Sequence, residues 1–255
     1  MKLEINVPSS LSEIPLKHYQ EFLRVQVDSN DEEFIAQKMV EIFCGIGLKD
    51  VAKMKLTSLN ELIVHFSKVF AERPEFQKRF KIKTEETEIE FGFIPELEEI
   101  SFGEYVDLES HLTSWDTYHK AMAVMYRPIM QTRKDKYDII PYEPNVDFQE
   151  LMKFAPLDVV IASSLFFWTL GNELVEATLN YLEREMKKSK KLSTTFQKQL
   201  NLPNDGDGIS QFMHSLKETL PNSMMSPDID LLNVSLISPS KSKKTELNND
   251  NLKET

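Results

Sequence analysis

The chain carries a single cysteine, Cys44. One thiol makes neither an intramolecular disulfide nor a thiolate zinc site, and its setting in EIFCGIG marks it as a buried core residue rather than a nucleophile. Glycine is also scarce. Seven glycines among 255 residues include neither GxGxxG nor GxxxxGK[ST], so no phosphate-cradling loop is expected, and Gly45 and Gly47 read as a helix-ending turn. Basic residues are in deficit: 30 lysines and arginines against 41 aspartates and glutamates give a net charge of -11, which opposes a phosphate backbone and removes nucleic acid from the expected partners. Long apolar runs are missing as well. The longest, residues 159–170, is about half to two-thirds of the roughly 20 residues that cross a bilayer, and Glu173 and Glu176 end it, so no membrane span is expected. The opening MKLEINVPSSLSEIPL has no charged region followed by an apolar block and reads as no secretory signal, which with the lone thiol fits a reducing, intracellular setting.

Signatures of catalysis are equally thin. His111 and His119 bracket Trp115 without the four-residue spacing of a helical zinc site and read as structural. No GxSxG elbow gives the serines a nucleophile context. The NDGDG at 204–208 lacks the sixth-place glycine and twelfth-place glutamate of a calcium loop. Glu96, Glu98, Glu99, Glu104, Asp107 and Glu109 supply carboxylates, but acids on a hairpin exit and a helix are expected to form a solvated face. The expectation is therefore a non-enzyme without cofactor or metal.

What is present is material for a core: 41% of the residues are hydrophobic and 10% aromatic, enough to fold without metal or disulfide. Helices are expected over residues 14–23, where Leu16, Tyr19, Phe22 and Leu23 share a face, and from Asp31 to Gly45, with Phe34, Ile35, Met39, Ile42 and Phe43 as an apolar stripe. A short helical turn at LKDVAKM and a helix from Thr57 to about residue 73 follow. After Phe80 the period changes to two, predicting a hairpin over FKIKTEETEIEFGFIP. Ser101 with Glu104 three residues on predicts a capped helix, and Ser114 starts a second whose Trp115, Tyr118, Met122, Met125 and Tyr126 form a face ending at Pro128. IMQT and YDIIPY are candidates for a further strand pair. The fold class is thus α+β, predominantly helical, with a small antiparallel sheet or hairpins inserted between helices and a flexible C-terminal tail. Its expected divisions are residues 1–80 and 81–191, packed as one body, and the polar tail 192–255.

Three apolar features suit contact with a partner protein. These are the face carrying Trp115, Tyr118 and Met122, the apolar helix at 157–181 with Phe166, Phe167 and Trp168, and a tail stripe with Phe212, Met213 and Leu216. The helix at 157–181 reads as a central core element or as one that offers part of its surface.

The blocks IPLKHYQEFL, DEEFIAQKMVEIFCGI, FGFIPELEEISFGEYVDL, WDTYHKAMAVMYRPI and LDVVIASSLFFWTLGNEL together resemble a group of proteins encoded by tailed bacteriophages, particularly phages of Bacteroidetes-type hosts. The likeness spans most of residues 14–182. It implies a tail assembly chaperone in the bacterial host cytoplasm, coating an apolar tape-measure protein until tail-tube subunits polymerise, with self-association possible and no catalytic residues. The tail after Lys191 resembles the frameshifted extension of such chaperones. A virion structural protein, a connector or internal head protein, is the alternative. Either way, the implied partners are proteins.

Overall fold

The computed structural model describes residues 5–84, 88–134 and 136–188. Helices come first: α1 (Leu16–Asp28), α2 (Glu32–Cys44), the single turn α3 (Leu48–Val51) and α4 (Leu56–Phe70). A hairpin of β1 (Arg79–Lys83) and β2 (Glu88–Phe93) leads to α5 (Phe102–Leu112) and α6 (Tyr118–Met125). A second hairpin, β3 (Tyr126–Arg133) and β4 (Lys136–Ile139), precedes α7 (Val146–Met152) and the 32-residue α8 (Leu157–Lys188). The strands form one antiparallel sheet in the order β1-β2-β3-β4. The architecture is α+β and predominantly helical. The tail 192–255, with NDGDG and the stripe of Phe212, Met213 and Leu216, lies outside the described residues.

Local chemistry accounts for the boundaries. The Asp31 carboxylate accepts from the backbone N–H groups of Glu33 and Phe34 at 3.0 and 3.2 Å and so caps α2, which ends where Gly45 takes a left-handed φ of 65°. Two expectations need correction here. Phe34 sits in the first turn of α2 and is exposed rather than part of the buried stripe, and α4 starts at Leu56, one residue before Thr57. A third concerns α6. It stops at Met125 instead of running to Pro128, because the residue before a proline is pushed towards extended backbone, and Tyr126 and Pro128 pair as strand residues opposite Phe93 and Phe91. At Gly92 a Cβ would come within 2.4 Å of the Tyr137 ring, so the absence of a side chain there lets Tyr137 cross β2 and donate to the Phe93 carbonyl at 2.8 Å.

One core joins both expected body segments. On the helical side, Phe43 contacts Phe22, Phe66 and Phe70 with ring centroids 5.2 to 5.4 Å apart. Tyr19 then meets Trp115 edge-on at 5.2 Å. On the sheet side Phe80 packs on Phe91 and Tyr126. The start of α8 lies between them, with Leu157, Val159, Val160, Ile161 and Ala162 buried. Two backbone bonds hold it beside α1: Leu157 N–H donates to the Ile14 carbonyl at 2.9 Å and Leu16 N–H to the Ala155 carbonyl at 3.0 Å. The Tyr126 hydroxyl donates to the Gln77 carbonyl at 2.7 Å and lies 2.9 Å from Ser163 Oγ, so the polar groups of this contact are also satisfied.

His119 is a buried polar residue within this packing. The Gln20 amide donates to the Trp115 carbonyl at 2.6 Å and stands 3.2 Å from His119 Nδ1, where it donates to a neutral ring. Protonating Nδ1 would set two donors against each other. Burial, aided by the charge of Lys153, holds the imidazole pKa down at about 4. A histidine depressed in the folded state stabilises fully above its ordinary value of 6.5, and this contribution is lost as pH falls through the folded value. The window is therefore pH 6.5 to about 4, and the full shift corresponds to about 3 kcal/mol. His18 is lowered too and adds a slope of the same sign. Urea midpoints measured across this range should fall with pH in the native chain and fall less steeply in His119→Gln. Parallel slopes in the two would show that His119 is not held neutral.

Candidate functional site

Among the described residues, no group of three or more His, Cys, Asp or Glu side chains is arranged to hold a metal ion. Burial pushes the Cys44 thiol up to about 11, so it stays protonated and unreactive near neutrality. The open groove of about 390 Å³ beside β1 is lined by Arg79, Lys81, Glu90 and Asp158, and of these Asp158 keeps a buried Oδ1 without a hydrogen-bond partner among the described residues. Arg79 pairs with Glu90 at 2.9 Å and Gln77 donates to Asp158 at 2.9 Å. A cavity of about 20 Å³ lined by Lys120, Arg127, Tyr142 and Gln149 is the size of one water.

The residues that stand out are on α5. Ser101 and Glu104 form a capping box: the Ser101 hydroxyl accepts from Glu104 N–H at 3.3 Å, and the Glu104 carboxylate accepts from Ser101 N–H at 2.7 Å. Sequence alone anticipated this cap and not what the carboxylate does next. Glu104 is only 6% exposed, and its second oxygen receives Arg127 Nη2 at 2.7 Å. One turn on, the Tyr142 hydroxyl donates to the Asp107 carboxylate. Arg127 lies over the Tyr142 ring, 5.8 Å from its centroid, which closes a network across α5, β3 and the segment before α7. Burial raises the Tyr142 pKa, with the Asp107 hydrogen bond acting in the same direction, so the phenol remains a donor. Burial also lowers that of Arg127, opposed by Glu104. The expectation that Glu104 and Asp107 join a solvated acidic face is corrected: both point into the body because Arg127 and Tyr142 meet them there.

Helical geometry then decides what faces outward. With Glu104, Asp107 and Leu108 turned inward, Phe102, Tyr105 and Val106 point to solvent at 82%, 50% and 39% exposure. They occupy positions i, i+3 and i+4, and exposed Glu109 continues the stripe at i+7. The helix is therefore inverted, with two acids in and an apolar ridge out. Of the other exposed large apolar residues, Val27, Met130 and Val146 lie singly on different elements, whereas Leu56 and Val64 on α4 and Leu170 and Tyr181 on α8 stand too far apart along their helices to form a ridge at i, i+3 and i+4.

The residues expected to make partner contacts fall elsewhere. Tyr118 and Met122 are buried in the core, and Trp115 is partly buried between Tyr19 and Tyr118, so this face is already occupied within the body. Phe166 stacks on Phe76 with centroids 4.5 Å apart and Phe167 packs at 5.9 Å from Phe93, so both pin α8 to the body while remaining partly exposed. Trp168 is partly exposed on α8. Among the described residues no helix is long and apolar enough to cross a membrane.

The buried pair is what orients the α5 ridge, and this has a measurable consequence. Arg127→Met leaves the Glu104 carboxylate buried without its cation and should cost about 3–5 kcal/mol. Adding Glu104→Gln keeps a capping side chain without the charge, so the double variant should recover most of that loss. Urea denaturation of the four members of the cycle measures the coupling. Additivity within about 0.5 kcal/mol would exclude the pair as the element that holds α5.

Comparison of the chain with protein-family models, with curated proteins and with solved structures finds no match in any of the three.

Proposed function

We propose that this chain is a tail assembly chaperone of a tailed bacteriophage, acting in the host cytoplasm to hold an apolar helical tape-measure segment during tail morphogenesis. The observation that carries the reading is the ridge of Phe102, Tyr105 and Val106 on the inverted helix α5. An apolar stripe at i, i+3 and i+4 matches the way one helix docks on another, and covering Phe102 alone is worth about 2 kcal/mol. The phage resemblance supplies the identity of the client. It includes the block FGFIPELEEISFGEYVDL, in which this ridge lies. The net charge of -11 favours keeping an apolar client in solution.

Co-expression with a tape-measure fragment that is insoluble by itself tests the role. The native chain should bring the fragment into the soluble fraction, and the Phe102→Ser, Tyr105→Ser variant should weaken the complex by at least about tenfold. Phe102 is largely exposed and Tyr105 half-exposed, so the same variant should lose no more than about 1 kcal/mol of folding stability. Met122→Ala gives the contrast: it opens a cavity in the core and should cost about 2–5 kcal/mol. A fragment that stays insoluble with the native chain rejects the chaperone role. A fragment equally soluble with the ridge variant removes α5 as the contact.

A further inference from the structure

We infer that the α5 ridge selects a helical partner segment whose apolar residues are flanked by lysine or arginine. This rests on the client-binding reading above and specifies the chemistry of the client at that site. The segment 95–110, PELEEISFGEYVDLES, contains six acids and no lysine or arginine. Two of those acids, Glu104 and Asp107, are spent inside on Arg127 and Tyr142. Glu96 and Glu99 before the helix, and Glu109 at the far end of the ridge, are exposed. The apolar ridge is thus bracketed by negative charge at both ends. A second copy presenting the same face would bring like charges together and be repelled, whereas basic flanks would be attracted and would fix the position of the bound helix. The capping box satisfies the N–H groups of Ser101 and Glu104 with the side chains of those same two residues, and Glu96, Glu99 and Glu109 take no part in it.

The test uses the full chain and two synthetic helical peptides with identical leucine and phenylalanine stripes, one flanked by lysines and the other by glutamates. Fluorescence anisotropy should give the lysine-flanked peptide at least about tenfold tighter binding at about 0.05 M salt, with the preference shrinking near 1 M as the screening length falls to about 3 Å. Phe102→Ala with Tyr105→Ala should weaken binding of both peptides. Glu99→Gln with Glu109→Gln should remove most of the preference, while Glu21→Gln with Glu61→Gln, which changes the net charge equally at exposed sites on other helices, should leave it. Equal affinity for the two peptides, or a preference that survives Glu99→Gln with Glu109→Gln, overturns the inference. So does a dimer in sedimentation that Phe102→Ala dissociates, since a second copy would then be the occupant. If neither peptide binds while the chain still solubilises a tape-measure fragment, the inference fails and the chaperone role stands. If the lysine-flanked peptide binds as described while no fragment is solubilised, the surface chemistry stands and the chaperone role fails.

Discussion

An ionised carboxylate enters a protein interior at low cost only when a cation or hydrogen-bond donors meet its oxygens. Glu104 has the Arg127 guanidinium on one oxygen and, on the other, the Ser101 N–H, which closes the backbone at the start of α5. This single side chain therefore sets where the helix begins and which way it is rotated. Asp107 and Tyr142 repeat the constraint one turn later, so the rotation is held at two heights. Turning Phe102 and Tyr105 inward instead would require returning Glu104 to water and leaving Arg127 buried without its partner. Losing an ion pair from one side only is a large penalty, and the outward ridge persists because the alternative is worse.

Arg127 can serve α5 because β3 is in place beneath it, and β3 depends on the core. Tyr126, next in sequence, is one of the largest fully buried side chains and contacts Phe80 and Phe93 while its hydroxyl reaches Gln77 and Ser163. Ser163 belongs to α8, whose first turns are clamped beside α1 through the Ile14 and Ala155 carbonyls. One path from the N-terminal helices to α5 thus runs through α8 and the sheet, and a second runs from Tyr19 and Gln20 of α1 through Trp115 to α6, which packs on α5. Aromatic pairs line the sheet side of the first path, each worth about 0.5–1.5 kcal/mol beyond the area it buries.

Much of this architecture was legible in the sequence where a local rule acts. The two-residue period from Phe80 to Phe93, the helix start at Asp31, the glycine stop at Gly45 and the Ser101 capping box each depend on neighbours a few positions away, and each forms where it was expected. Which apolar stripe is left exposed was not legible, for a physical reason. Trp115, Tyr118 and Met122 make as good an aromatic stripe as any surface would, and only the arrival of Tyr19 and the body packed around α6 turns that stripe into core. On α5 the apolar and acidic residues offer two possible faces. The choice between them lies with Arg127 and Tyr142, 23 and 35 residues from their acids, a separation no pattern rule spans. A signal was nonetheless present: acids at 104 and 107 interleaved with Phe102, Tyr105 and Val106 mark a helix whose sides disagree.

The size of the ridge bears on how such a surface would work. Three side chains on one helix cover far less than the roughly 800 Å² per partner of a stable complex, so they can anchor a segment without burying it permanently. For the proposed role that is an advantage, because a tape-measure client must be surrendered when tube subunits close around it. Dissociation rates carry most differences in affinity between related complexes, and a narrow apolar contact releases quickly. Acidic groups at its rim would speed recapture by steering basic flanks back, raising association more than lifetime. In the proposed role, a surface that is apolar at its centre, acidic at its ends and oriented from behind by a buried ion pair would favour fast capture and fast release over the long residence of a broad hydrophobic interface.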